Sequence, residues 1–447
     1  MSRTMKIGTP CLMSAAMLLL VGLMTTASLA QEVTLDPKLQ DAAVAKAKAL
    51  AGGKTLTGSI EVIGQNGGYE GAITEAVMKP FEIATGVKIK YTGTQDANII
   101  LARARAGNPP QVAMIQQGLM IGLAHDGKLV DLGSFMGDEL KANYTPAVND
   151  TASVDGKIYG VYQGFSPFML WYNPEAYTGP KAGSTWDDVV KWTDDQAAKG
   201  TPVWCLAQEA GAGSGFPGAQ FLEVLFAKKY GPDLLREWGE GKLPWTSPQV
   251  KDAWQMFGKI ATDASVDGGV QGALSSSIAS GYDGLVTTPP TCQAAVWGAW
   301  TSGLINASTN AVKPGENLDF MAVPGSTPDA ASTEIFQAAV TVAFDKGDAT
   351  KAFMEYLASD EEQALLASAN QWTVPNIHVP SSTYKSTLLK KAADTYFGPN
   401  VKFAAGPNVL NSQAVSQEFY KGIVDFMSDP TQLDAILQRI DAAEKTK

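Results

Sequence analysis

The sequence predicts an α/β protein built on a doubly wound sheet, with helices flanking parallel strands. Three observations predict it. Strand and helix patterns alternate at close spacing from Gly58 to Ile115. The strand-like runs alternate at period two or are wholly apolar, whereas the runs between them carry apolar residues three and four apart. Every run is cut off by glycine, proline or a polar turn, so three β–loop–α units follow one another, the arrangement of a parallel sheet.

The elements follow in order. Residues 31–53, rich in Ala, Lys and Asp, read as a short peripheral helix. Gly58–Ile63 is a strand ended by Gly64-Gln65-Asn66-Gly67-Gly68. Tyr69–Thr85 is a helix with Ile73, Val77, Phe81 and Ile83 at helical spacing, and Gly86 ends it as a C-cap residue. Val87–Tyr91 alternates as a second strand, and Thr92–Asp96 turns into a helix over Ala97–Ala106. Gly107-Asn108-Pro109-Pro110 stops that helix, and Gln111–Ile115 is the third strand.

Ligands of such sheets collect at the carboxyl ends of the strands. Those ends carry Gln65 and Asn66, then Gln95 and Asp96, then Gln116 and Gln117, with no basic cluster. Amides and a carboxylate beside exposed backbone suit a ligand made of hydroxyl groups, whereas phosphate or carboxylate would call for Arg or Lys. Taken singly, each is equally an ordinary turn or capping residue.

The 447 residues are enough for two or three domains. Hydrophobic residues make up 45% and charged residues 18%, which excludes a disordered chain. A net charge of −11 argues against a partner with a phosphate backbone, so no nucleic acid is expected. The two histidines, His125 and His378, are too few and too far apart for a His-based metal centre or relay, and neither metal nor cofactor is expected.

Residues 1–30 read as an export signal. Arg3 and Lys6 precede the mostly apolar Met13–Thr25, and Ser28-Leu29-Ala30 places small residues before a cut after Ala30. The alternative is a buried N-terminal helix. Cleavage takes two positive charges from −11 and leaves −13, with no later apolar run long enough to cross a membrane. It also removes Cys11 and leaves Cys205 and Cys292, which form a disulfide in an oxidising compartment or stay as two separately buried thiols.

Farther along, Gly107–Val112, Gly127-Lys128-Leu129-Val130-Asp131-Leu132, Asp155–Tyr162 and Phe168-Met169-Leu170-Trp171-Tyr172-Asn173-Pro174 succeed one another. In that order they resemble the family 1 extracellular solute-binding proteins, the sugar-capturing receptors of ABC importers to which maltose-binding protein belongs. Cys205, Gly211–Pro217 and Pro289-Pro290-Thr291-Cys292 are similar to its α-glucoside-binding branch; the pattern departs from that branch after Cys292.

The resemblance implies a type II periplasmic binding protein fold, two α/β lobes joined by crossover strands. The first lobe is then 54–162 plus 338–373, and the second is 163–337 plus 380–447. The first crossing falls near Val161–Phe165, bringing Phe165 and Ser166 to the cleft, and the return near Ile335–Val342 brings Phe336. Ala349–Ala369 reads as one helix, which breaks before Trp372 at a final crossover. Thr185 is the N-cap of a helix in the second lobe.

The resemblance further implies a monomeric periplasmic receptor, not an enzyme, that binds a mono- or oligosaccharide and hands it to a membrane permease. An α-glucoside is the first expectation. Ala294–Trp300 reads as a strand with Trp297 and Trp300 on opposite faces, Trp297 in the core and Trp300 as the stacking platform. Gly215, Phe216 and Trp372 join it as cleft residues, and Glu70 and Asp96 are the carboxylates at hand. Gly213–Gly218 also fits a dinucleotide-binding G-x-G-x-x-G, but an exported protein meets little NAD. Two other readings are open: aromatic walls and carboxylates capturing a polyamine, and a secreted glycosidase, for which no paired carboxylate motif stands out.

Overall fold

The computed structural model describes residues 33–52, 56–94, 96 and 98–446. The export signal and Gln95 lie outside the described residues. The strands in chain order are β1 (Ser59–Gly64), β2 (Lys88–Gly93), β3 (Val112–Ile115), the hairpin β4 (Ser153–Val154) and β5 (Lys157–Ile158), β6 (Gly160–Tyr162), β7 (Ser166–Tyr172), β8 (Ala294–Gly298), β9 (Asp319–Met321), β10 (Thr333–Gln337), β11 (Val340–Ala343) and β12 (Lys402–Ala404).

They form two main sheets. The first runs β2-β1-β3-β11-β6, with β1 parallel to β2 and β3, as the β–loop–α units require. The helices between these strands are Gly68–Thr85, which Gly86 ends at φ 83°, and Asn98–Arg105. The second sheet runs β12-β10-β7-β8, with β9 beside β7. Only β10 and β12 pair in parallel there; β7 is antiparallel to β8, β9 and β10. The parallel strands expected from the β–loop–α units are present as β2-β1-β3, and each sheet as a whole is mixed, for a topological reason. The chain enters the second sheet through β7 and leaves it through β10, so these neighbours must run in opposite directions. For the same reason β11 is antiparallel to β6 in the first sheet.

The run Ile335–Val342 is accordingly two strands in two sheets, β10 and β11, with Ala338 and Ala339 as the crossing between them. Gln163–Phe165 is the other early crossing. Residue Thr373 returns alongside it: Phe165 N donates to Thr373 O at 2.9 Å, and the Thr373 hydroxyl donates back to Phe165 O.

Two further expectations are corrected. The helix over Ala349–Ala369 is split into Asp348–Ala358 and Asp360–Ser368, because Ser359 takes an extended conformation and its hydroxyl caps the second segment at Glu362 N. Strand β8 stops at Gly298, and Trp300 sits at the start of the helix Thr301–Thr309. Thr185 does cap its helix, in a capping box with Asp188.

The core of the second half is aromatic. Trp186, Trp204, Trp238, Trp245, Trp254 and Trp297 are all buried to within 2% exposure, which takes most of the tryptophans out of contention as ligand platforms. Cys205 and Cys292 are bridged with Cα atoms 5.5 Å apart, closing 87 residues of chain beside β8. A buried ion pair, Lys228 Nζ to Glu334 Oε1 at 2.6 Å, ties the long helix Phe216–Gly239 to β10.

Candidate functional site

A cavity of about 270 Å³ lies where the two sheets meet. The first sheet contributes Gln65 and Asn66 from the loop after β1, and Glu70, Thr74 and Val77 from the helix Gly68–Thr85. Gln163 and Gly164 come from the first crossing, Gln337, Ala338 and Ala339 from the second, and Trp372 from the return. Ser166 and Trp300 close it from the second half.

The polar groups are tied to one another. Gln116 Nε2 donates to Gln65 Oε1 at 2.9 Å, so Gln116 orients a cavity residue from behind. Asn66 Nδ2 donates to Thr74 Oγ1 at 3.0 Å, and Tyr91 OH donates to Asn66 O at 2.8 Å, fixing the loop. Burial at that position pushes the Tyr91 hydroxyl up to about 12. Glu70 accepts from Gln371 Nε2 at 3.4 Å, which links the first-sheet helix to the return segment. Burial raises the Glu70 carboxyl above its ordinary range, against the smaller lowering effect of that hydrogen bond.

Aromatic surface comes from two rings. Trp300 packs edge-on against Phe168 and Trp297, with centroids 5.5 Å away in each case, and it also lines the cavity. Trp372 lies over Gly164. Trp297 is buried and stacks on Tyr282, so the chain keeps one tryptophan of the pair in the core and offers the other.

Of the sequence-predicted site residues, the cavity brings together Gln65, Asn66, Glu70, Ser166, Trp300 and Trp372. Phe165 and Phe336 stack on each other behind it and are buried. Asp96 is exposed and caps the helix Asn98–Arg105 by accepting from Asn98 N at 3.0 Å. Gln117 is buried and donates to Thr151 O at 2.7 Å, facing a different cavity shared with His125, Arg236 and Leu410. Gly215 is packed against the backbone of Tyr420, and Phe216 lies between Trp297 and Tyr420.

Sequence reasoning missed Thr74, Gln163, Gly164 and Gln337. Thr74 lies one turn after Glu70 on the same helix, a signal that was open to inspection. Gln163 and Gly164 lie within the crossing already placed near Val161–Phe165, but only the fold turns them inward.

Two halves meeting at a ligand-sized cavity, crossed by three segments of chain and lined from both sides, define a two-lobed solute-binding protein. The chain matches the family of bacterial extracellular solute-binding proteins over residues 66–364, more than half its length, and it belongs to that family. Among its relatives are the osmoprotective compounds-binding protein GgtB of Synechocystis, 26% identical over 85% of this chain and 91% of that one. The α-glucosides-binding periplasmic protein AglE of Rhizobium meliloti is 26% identical over 86% of this chain and 85% of its own. Among solved structures, the bacterial solute receptor AcbH superposes with a TM-score of 0.74 at 17% identity, covering 89% of this chain and 99% of that one. The maltose-bound MalE3 of T. maritima superposes with a TM-score of 0.64 at 17% identity, covering 87% and 100%. These likenesses establish the two-lobed type II fold, and family membership makes the chain a receptor and not an enzyme.

Proposed function

We propose that this protein is the sugar receptor of an ABC importer, capturing a neutral sugar between its lobes and delivering it to a membrane permease. The observation that carries this reading is the lining of the cavity. Two tryptophans stand among amide and hydroxyl groups and one carboxylate, Glu70, and none of the described lining residues is Lys, Arg or His. A pyranose presents an apolar C–H face to a ring and hydroxyls around its edge. Burying such a face is worth roughly 25 cal/mol per Å² of apolar surface removed from water. The relatives' names point the same way, since AglE is described as binding α-glucosides and MdxE of Bacillus subtilis as binding maltodextrin.

In this reading the first lobe is 54–162 plus 338–373 and the second 163–337 plus 380–447, with closure favoured because the sugar touches both. Gln65, Asn66 and Glu70 bind hydroxyls, Trp300 and Trp372 stack, and Ser166 contributes from the second lobe. The protein acts as a monomer in the periplasm after cleavage at Ala30. Calorimetry with a panel of glucosides, galactosides and polyamines tests it: micromolar binding of a sugar is expected, and binding of a polyamine alone would replace it with the amine reading.

A further inference from the structure

Both tryptophans of the cavity rest on glycines. A Cβ at Gly298 would come within 2.2–2.5 Å of three benzo-ring carbons of Trp300, and one at Gly164 would sit 3.1 Å from both Cβ and Cγ of Trp372. Neither glycine is needed for its backbone conformation, because neither has a positive φ. Gly298 lies at the last position of β8, directly opposite Phe168, where any other residue would carry a side chain toward the ring. What the two positions require is space, and in each case the space is filled by an aromatic ring that lines the cavity.

We infer that Gly298 and Gly164 are positioning residues that seat Trp300 and Trp372, and that the rings so seated limit the ligand to a sugar of one or two rings. The size limit rests on the sugar-receptor reading. Pockets for drug-sized ligands run from roughly 300 to 1,000 Å³. This cavity, at about 270 Å³, falls just below that range. Gln163, Ser166 and Gln337 line it as well, so polar groups from both crossings and from β7 surround the same small volume. The two seats differ in tightness. Gly298→Ala forces Trp300 to leave its position, whereas Gly164→Ala asks Trp372 to move by a few tenths of an ångström and Gly164→Val asks for more.

The seats and the size limit are tested separately. Acrylamide quenching of tryptophan fluorescence without ligand reads ring exposure directly. Gly298→Ala is expected to raise quenching, and the same substitution in a Trp300→Ala background is expected to change nothing further. If Gly298→Ala does not fold, the Gly298→Ala/Trp300→Ala pair must fold, because the space is then empty. Unchanged quenching in the single variant, or failure of both variants to fold, overturns the seat assignment. For the size limit, calorimetry compares glucose, galactose, maltose, trehalose and maltohexaose on the wild-type protein. A mono- or disaccharide is expected to bind tightest, and Gly298→Ala to weaken it about tenfold or more. Tightest binding of maltohexaose overturns the limit and leaves the receptor reading intact. Silence from every sugar overturns the receptor reading and the limit with it, while the quenching result stands on its own.

Discussion

Phe165 and Phe336 stack with their centroids 4.1 Å apart and their planes 16° from parallel. Phe165 ends the first crossing and Phe336 lies on the strand that leads into the second, so the two connections are held ring on ring behind the cavity. Tyr162 and Phe403 pack edge-on against the same Phe165, at 5.3 and 4.7 Å. Phe165→Ala should cost about 3–5 kcal/mol of stability, as deletion of a buried aromatic side chain does. Urea unfolding measures it, and a loss below about 1 kcal/mol would mean that the cluster collapses into the gap.

The two neighbouring tryptophans should separate binding from stability. Trp300→Ala is expected to weaken sugar binding by about 2–4 kcal/mol, thirtyfold or more, with a smaller loss of stability. Trp297→Ala, which removes a ring only 1% exposed, should cost about 3–5 kcal/mol of stability. Calorimetry and unfolding of both variants decide the matter; the opposite pattern would mean that Trp297 faces the ligand.

Glu223 should make the fold weaken as pH rises from about 4.5 toward about 8. It is buried on the helix Phe216–Gly239, accepts a hydrogen bond from Asn408 N at 2.6 Å, and burial pushes its carboxyl up to about 8 from 4.5. The folded protein therefore holds this proton more tightly than the unfolded chain does. The resulting stability is fully present below pH 4.5 and is lost as pH rises toward about 8. Glu223→Gln should flatten that slope in urea unfolding between pH 5.5 and 8.5 (roughly the span of the shift). An identical slope in the variant would assign the titration to other groups.

Reduction of Cys205–Cys292 should lower the melting temperature without dissolving the sheets. The bridge spans 87 residues, for which the chain-entropy model gives on the order of 4–5 kcal/mol. Oxidised, unfolded protein should show no free thiol on titration; two thiols per chain would refute the bridge in the exported protein.

Glu70 should turn away sugar acids. Among the described residues lining the cavity it is the sole carboxylate, with no cation to offset it. Glucuronic acid should bind at least about tenfold more weakly than the matching neutral sugar, since like charges oppose each other in a partly buried site. Glu70→Gln should narrow that gap. Equal affinities in the wild type would show that Glu70 is protonated when the ligand arrives.

Much of the first sheet was legible in the sequence because its information is local. The periodicity of Gly58–Ile115, the cap at Gly86 and the polar loop Gln65-Asn66 each sit within a few residues of the structure they produce. The apolar run of β10 and β11 illustrates the opposite case. It reads as one strand, because nothing in the eight residues Ile335–Val342 says that the sheet changes at Ala338. Asp96 and Gln117 show the same limit at the site. Both are polar residues at strand ends, yet one caps a helix and the other faces a different cavity.

By itself the sequence determined the α/β class, the turn and capping chemistry, the pair of cysteines available to bridge and the stock of amide and aromatic groups that could meet a sugar. Only the tertiary structure decided which of them meet. Gln65 and Trp372, 307 positions apart, line one cavity, and Trp300 clears the core while Trp297 does not. The physical reason is that period and spacing fix the side of a strand or helix on which a residue lies. Whether that side is covered depends on elements brought in from hundreds of residues away.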